Sequence, residues 1–103
     1  MTDDRRKAPR AKCVLDGSWS GVSVGGSVRI SDVSATGCFI ETLATPQQGE
    51  RVRVQLHLPQ GPLSLNAEVT YVEPRMGFGM RFIDVDPGTA EILTDAVAHL
   101  SRK

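Results

Sequence analysis

Polar and apolar residues alternate along much of the chain, with the period of two that is typical of β-strands. The clearest example is "RVRVQLHL" at 51–58, in which valines and leucines occupy every second position. After the turn-forming sequence "PQGP" at 59–62, the alternation resumes over 63–71 and places Tyr71 on the apolar side. These two runs predict a β-hairpin with one buried face.

Four further segments resemble short strands, at 11–21, 27–31, 38–42 and 78–83. Trp19 lies in a loop-like part of the first segment, where contact with a partner and plugging of a barrel end are both open interpretations. Together with the hairpin, the segments predict a mainly β fold of about six short antiparallel strands, either a small barrel or a sandwich, and we favour the barrel.

The end of the chain has a helical period instead. Asp86 is a good N-cap, and Pro87 suits the first helical position because its missing N–H needs no partner there. Apolar residues then recur at helical spacing and form one stripe. They are Ile92, Leu93, Ala96, Val97 and Leu100. We expect one C-terminal α-helix over about 87–101.

Composition fits one globular domain of 103 residues, of which 40% are hydrophobic and 23% charged. No stretch approaches the roughly 20 apolar residues of a membrane-spanning helix. No apolar run follows the basic N-terminal cluster, so a secretory signal is not expected and the cytoplasm is the expected location.

Charge is balanced overall but uneven along the chain. Residues 1–12, which include "RRKAPR" at 5–10, hold five Lys or Arg against two Asp, a net +3, whereas 13–103 have a net −3. A general DNA- or RNA-binding protein usually has a broad basic face and a high pI, but here the pI is about 6.7. This distribution favours a compact anionic ligand over a nucleic acid.

Candidate catalytic and metal-binding groups are sparse. Cys13 and Cys38 are 25 positions apart, form no CxxC motif, and are expected to be free core thiols. His57 and His99 have no nucleophile or carboxylate partner in the sequence. We therefore expect neither an enzyme nor a metal or cofactor site.

The segment "DVSATG" at 32–37 concentrates groups that could bind a ligand. The Asp32 carboxylate can accept two N–H donors, as the Watson–Crick edge of a guanine offers, and the Ser34 hydroxyl can donate or accept. Gly37 permits a positive φ and a close approach of the backbone to a ligand. Taken alone, the segment also fits an ordinary Asx-type turn.

Three motifs occur in order along the chain: R-x-x-x-R at Arg6 and Arg10, D-x-S-x-x-G at 32–37, and G-x-G-x-x-F at 77–82. This arrangement resembles the PilZ domain, the bacterial receptor module for cyclic di-GMP. The resemblance implies a six-stranded antiparallel barrel followed by a helix. It also implies a flexible basic arm at 1–12 and a barrel with its helix at 13–103.

The resemblance further assigns ligand contacts to Arg6, Arg10, Asp32, Ser34 and Gly37. An arginine directly before R-x-x-x-R, here Arg5, is associated in this family with an intercalated dimer of the nucleotide. It therefore implies two ligands per chain.

Arg75, Gly79 and Arg81 are candidates for secondary contacts with the ligand. Arg75 and Arg81 could help to hold phosphate, although solvated charge at a strand edge is an equal interpretation. The glycines of "GFGMRF" do not form a dinucleotide fingerprint, because Phe82 replaces the third glycine and a strand follows. They are better explained as letting strands bend or pack closely.

Three functions are compatible with a chain of this kind. The first is a cyclic di-GMP receptor that acts through an unidentified downstream protein. The second is an adaptor with the PilZ fold that ignores nucleotides. The third, single-stranded nucleic-acid binding on a small barrel, is disfavoured by the neutral charge and the 5% aromatic content.

Overall fold

The computed structural model describes residues 10–22 and 24–100, with the backbone alone for 10–14. Within these ranges, six β-strands precede one α-helix, as the alternation predicts. The strands are β1 (Arg10–Ser20), β2 (Gly25–Ser34), β3 (Gly37–Glu41), β4 (Arg51–Leu58), β5 (Gly61–Glu73) and β6 (Gly77–Ile83). The helix is α1 (Pro87–Leu100), which agrees with the predicted 87–101. Because β1 begins at Arg10, it overlaps the last three residues of the arm expected over 1–12.

The strands close into a barrel in the order β1-β2-β3-β6-β5-β4, and all neighbouring pairs are antiparallel. This topology sends alternate connections to opposite ends. The start of β1, the β2–β3 turn, the β4–β5 turn and the segment leading into α1 share one end, which we call the helix end. The loops at 21–24, 42–50 and 74–76 lie at the other end, which we call the far end.

Apolar side chains of the strands and of α1 fill the barrel. Along β4, buried Val52, Val54, Leu56 and Leu58 alternate with polar residues that point outward. The largest fully buried side chains are Phe78, Ile30, Ile40, Leu56 and Leu93. The predicted hairpin of β4 and β5 is confirmed, with Leu58 paired to Gly61 across a two-residue turn.

Trp19 belongs to the barrel interior rather than to a loop. It lies near the end of β1, is 5% exposed, and packs edge-on against Phe78 with ring centroids 5.0 Å apart. Of the two interpretations left open by the sequence, the barrel plug is therefore the one observed. The ring closes the core toward the far end.

The expected burial of Tyr71 is wrong. Val69 pairs with Met80 and Tyr71 pairs with the next residue, Gly79, so β5 contains one extra residue, Thr70, at this point. A single added residue reverses which face the following side chains occupy. Tyr71 consequently points outward with 45% exposure.

Helix α1 begins as predicted and packs on β1 and β2. Asp86 Oδ1 accepts a hydrogen bond from the Thr89 N–H at 2.7 Å, which caps the first turn. Leu93, Ala96 and Val97 are buried. Ile92, which was expected to share their stripe, is instead 42% exposed and lies at the edge of the packed face.

Truncating the buried face of α1 should destabilise the fold. We expect Leu93→Ala to lower the free energy of unfolding by about 2–5 kcal/mol, because a fully buried side chain leaves a cavity. Urea denaturation measures this difference. Ile92→Ala is the matched control on the same helix and should cost well under half as much. Equal losses for both variants would contradict the packing described here.

The cap of α1 should make stability depend on pH. Hydrogen bonding from the backbone N–H of Thr89, and then from its side chain, lowers the pKa of Asp86 below its ordinary value of 3.8. A carboxyl whose pKa is lower in the folded state stabilises the fold above its unfolded-state pKa, and this contribution is lost as pH falls through the folded-state pKa. The stability difference between the parent and Asp86→Ala should therefore shrink in acid.

Urea denaturation from neutral pH to about pH 3 measures this difference. Asp86→Asn is the control, because it retains a capping oxygen but has no carboxyl that titrates. Its stability relative to Asp86→Ala should stay constant over the range. A parent-to-alanine difference that is the same at both extremes would refute the charged cap.

Candidate functional site

The segment Asp32–Gly37 forms the tight connection between β2 and β3 at the helix end. β2 continues to Ser34, two residues make the turn, and β3 begins at Gly37. Ser34 is 3% exposed. Among the residues whose side chains the structure describes, it is the one polar residue that is buried. Its Oγ accepts hydrogen bonds from the N–H groups of Thr36 at 3.1 Å and Gly37 at 3.3 Å. The Ser34 hydroxyl thus holds the turn in shape from within.

Gly37 is required for packing rather than for an unusual backbone angle. The described glycines with positive φ are Gly26, Gly49, Gly61 and Gly77, so Gly37 does not adopt the positive φ that a glycine permits. A Cβ at Gly37 would instead collide with the Met80 carbonyl oxygen of the neighbouring strand β6. The glycine lets β3 and β6 approach closely beside the turn.

Asp32 is turned toward the outer surface by an irregularity in β2. Ile30 pairs with Ile40 and Asp32 pairs with Phe39, so Ser31 is an extra residue on β2. Asp32 is therefore half-buried on the outside, whereas Ile30 lies in the core. The irregularity places a carboxylate at the barrel surface two residues before the turn.

The start of β1 runs directly beside this turn. Arg10 is paired in register with Ser34, and Lys12 is paired with Asp32. Residues directly opposite one another in an antiparallel pair have Cα atoms about 4.5–5.5 Å apart. The register thus brings the second arginine of R-x-x-x-R next to D-x-S-x-x-G, although the two motifs are far apart in sequence. Arg5 and Arg6 lie outside the described residues.

The three secondary candidates occupy different places. Arg81 is paired in register with Gly37, and its Nη2 donates to Glu68 Oε1 at 2.9 Å. Gly79 lies farther along the same strand, β6. Arg75 is in the β5–β6 turn at the far end, with a φ of 72°. The structure therefore brings Arg81 next to the turn and separates Arg75 from it.

A partly exposed pair of aromatic rings on the outer surface was missed by the sequence reasoning. Phe39 on β3 and Tyr71 on β5 have ring centroids 5.9 Å apart and ring planes inclined by 32°. Both residues pair in register with Gly79, so the rings meet across this glycine on β6. A glycine within a strand and opposite an aromatic residue is the signal that could have identified the pair, since aromatic rings often cover such glycines.

The described residues contain neither a metal-binding cluster nor a helix that could span a membrane. No group of three or more His, Cys, Asp or Glu residues in these ranges is arranged to hold a metal ion. Similarly, no helix in this part of the chain has the length and apolar character needed to cross a membrane. Cys38 is buried in the barrel core, as expected.

Comparison with models of protein families identifies the family of this chain. The sequence model of the PilZ domain matches residues 4–99. The chain belongs to the PilZ domain family. This assignment agrees with the closed six-stranded barrel and the C-terminal helix.

Solved structures of other PilZ domains share this fold at low sequence identity. The "PilZ domain with c-di-GMP of YcgR from Escherichia coli" superposes with a TM-score of 0.79 at 19% identity, over 95% of this chain and 92% of the other. The structure of the Bacillus subtilis inhibitor of motility (MotI/DgrA) superposes with a TM-score of 0.77 at 19% identity, over 92% of this chain and 50% of the other.

A third structure, the PilZ domain of CeSA from a cellulose-synthesizing bacterium, gives a TM-score of 0.72 at 17% identity, over 89% of this chain and 97% of the other. No curated protein matches the chain. At these identities the structural similarity establishes a common fold.

The internal hydrogen bonds of Ser34 should contribute to the stability of this PilZ domain. We expect Ser34→Ala to lower the free energy of unfolding by about 1–3 kcal/mol, because the N–H groups of Thr36 and Gly37 lose their acceptor. Thermal or urea denaturation measures the loss.

Thr36→Ala is the matched control in the same turn. Thr36 is exposed, and its Oγ1 lies 3.1 Å from Ser34 Oγ. Its replacement therefore removes a hydroxyl from the turn but leaves both N–H groups with their acceptor, so it should cost less than Ser34→Ala. If the two variants are equally stable, the turn does not depend on the Ser34 hydroxyl as an acceptor.

Proposed function

We propose that this PilZ domain is a receptor for cyclic di-GMP that passes the signal to a partner protein. The observation that carries the proposal is the β1–β2 register, which sets Arg10 beside Ser34 and Lys12 beside Asp32. Structures of the PilZ protein YcgR with c-di-GMP support the choice of ligand. The proposal gives no residue a catalytic role.

The chemistry of the turn and the basic segment suits both halves of the ligand. Cyclic di-GMP has two phosphates and two guanines. Arginine can bind phosphate or the guanine O6 and N7 atoms with two parallel hydrogen bonds, and its flat cation can stack on a base. Asp32 offers a carboxylate on the outer surface, suited to the N1–H and N2–H donors of guanine.

Ser34 and Gly37 have an indirect role in this proposal. The Ser34 hydroxyl is engaged with the backbone of its own turn, and Gly37 lets β3 lie against β6. Both residues therefore fix the position of the surface on which the nucleotide lies. Arg81, which is next to Gly37 and is paired with Glu68, is a candidate for a secondary phosphate contact.

The ligand in this proposal holds the basic segment 5–10 against the turn. The net charge of +3 over residues 1–12 matches a doubly anionic nucleotide, whereas the rest of the chain is acidic overall. A partner protein then recognises the surface formed by the ligand, the segment and the barrel. Arg5 adds a further cation, which suits the four phosphate charges of two stacked nucleotides.

Isothermal titration calorimetry with cyclic di-GMP tests the proposal directly. We expect heat of binding with a stoichiometry of one or two nucleotides per chain, and two would support the assigned role of Arg5. Folded protein that gives no heat at tens of micromolar ligand would overturn the receptor function. Capture of a partner that is indifferent both to the nucleotide and to Asp32→Ala would then favour the adaptor.

Variants locate the site. Arg6→Ala, Arg10→Ala and Asp32→Ala should each weaken binding by about 10- to 150-fold, because each removes charged hydrogen bonds. Arg10→Lys should recover only part of the loss, since lysine keeps the charge but not the planar fork. Lys7→Ala is the matched control, because it removes one cation from the same segment. If the arginine variants bind no more weakly than Lys7→Ala, the segment attracts the nucleotide only through its overall positive charge.

A further inference from the structure

One row of residues crosses four strands on the outer surface of the barrel. Asp32 on β2 pairs with Phe39 on β3, Phe39 pairs with Gly79 on β6, and Gly79 pairs with Tyr71 on β5. The row therefore contains one carboxylate, two aromatic rings and a glycine between the rings. We call Phe39, Gly79 and Tyr71 the aromatic platform.

The two rings can approach only because the residue between them has no side chain. A Cβ at Gly79 would collide with the Tyr71 ring, whose Cζ would lie 2.7 Å away. Gly79 is buried although it lies on the outward side of β6, where the Tyr71 ring covers it. Tyr71 thus lies over the backbone of the neighbouring strand rather than extending into solvent.

The platform also depends on a specific irregularity of β5. The extra residue Thr70 moves Tyr71 from the core face to the outer face. Tyr71 then keeps 45% of its surface exposed, and Phe39 is half-buried. Covering Gly79 accounts for one face of the Tyr71 ring. The exposed part of the Tyr71 ring and the half-buried Phe39 ring form an apolar, aromatic surface in the same row as Asp32.

We propose that the aromatic platform stacks one guanine of cyclic di-GMP, while Asp32 binds the Watson–Crick edge of the same base. This inference rests on the proposed function and names two residues, Phe39 and Tyr71, that the sequence motifs do not include. A base that lies on the rings can direct its N1–H and N2–H donors toward the adjacent carboxylate, because Asp32 and Phe39 are directly paired. Aromatic side chains stack all bases with little preference. The platform therefore provides affinity, and Asp32 provides the choice of guanine.

The first test compares binding of cyclic di-GMP to Tyr71→Ala and to the parent by calorimetry. Loss of one base-stacking contact should weaken binding by about 5- to 150-fold. Tyr71→Trp should bind at least as tightly as the parent because the larger ring still stacks. Met76→Ala is the control for loss of an exposed apolar side chain, since Met76 is 61% exposed at the far end. It should bind like the parent.

A second readout does not depend on affinity alone. An indole at position 71 should lose fluorescence when a guanine stacks on it, whereas the buried Trp19 of the parent should respond little. Gly79→Ala should also weaken binding, because the added methyl group displaces the Tyr71 ring without removing any ring. The free energy of unfolding of each variant is measured alongside, so that a misfolded variant is recognised. Tyr71→Ala keeps the test valid if Gly79→Ala does not fold.

A ligand analogue separates stacking from edge recognition. Cyclic di-IMP has the same rings as cyclic di-GMP but lacks both 2-amino groups, so the base that lies against Asp32 has one donor group fewer. Asp32→Ala should reduce the preference of the protein for cyclic di-GMP over this analogue. Tyr71→Ala should weaken both ligands by the same factor and leave the preference unchanged.

The outcomes distinguish the two proposals. If the parent binds cyclic di-GMP and a stable Tyr71→Ala variant binds it as tightly, the platform is wrong and the receptor function stands. If Tyr71→Ala changes the preference between the two ligands, the division of roles between Tyr71 and Asp32 is wrong. If the folded parent binds neither ligand, both proposals fail.

Discussion

Backbone pairing between the beginning of β1 and the end of β2 is the constraint on which the candidate site depends. It fixes Arg10 opposite Ser34 and Lys12 opposite Asp32, so the entry of the chain into the barrel and the β2–β3 turn form one continuous edge. The closed sheet leaves the strands little freedom to change register, because a slip of one residue would exchange the core and surface faces. The topology of the barrel therefore makes Arg10, the second arginine of R-x-x-x-R, a neighbour of the D-x-S-x-x-G turn.

Local departures from regular pairing then decide which side chains reach the surface. Ser31 on β2 and Thr70 on β5 are extra residues, and each reverses the alternation for the residues after it. The first turns Asp32 outward, and the second turns Tyr71 outward. A third register shift lies between Lys12 and Leu15 on β1. Irregularities of this kind re-aim side chains at functional edges of barrels, and here they flank the same surface.

The regular part of this architecture could be predicted from the sequence because alternation and capping are local signals. The β4–β5 hairpin and the Asp86 cap of α1 follow directly from residue order. The exposure of Tyr71 could not be predicted, since an extra residue in a strand is visible only against its partner strand. Likewise, the need for glycine at position 37 arises from Met80 on β6, which is distant in sequence. Residues 5 and 6 of the candidate site lie outside the described residues, so their roles stay predictions.

The hydrogen bonds of Ser34 have a consequence for how affinity can evolve. They keep the Asp32–Gly37 turn in one conformation through contacts made wholly within the protein. The conformational entropy of ordering this turn is therefore lost during folding and is not lost again on association with a ligand, which is the advantage of a preorganised surface. Any conformational entropy that is lost when the proposed ligand binds must therefore come from groups outside this turn. Substitutions outside the turn could consequently change the affinity for the proposed nucleotide while the turn keeps its conformation.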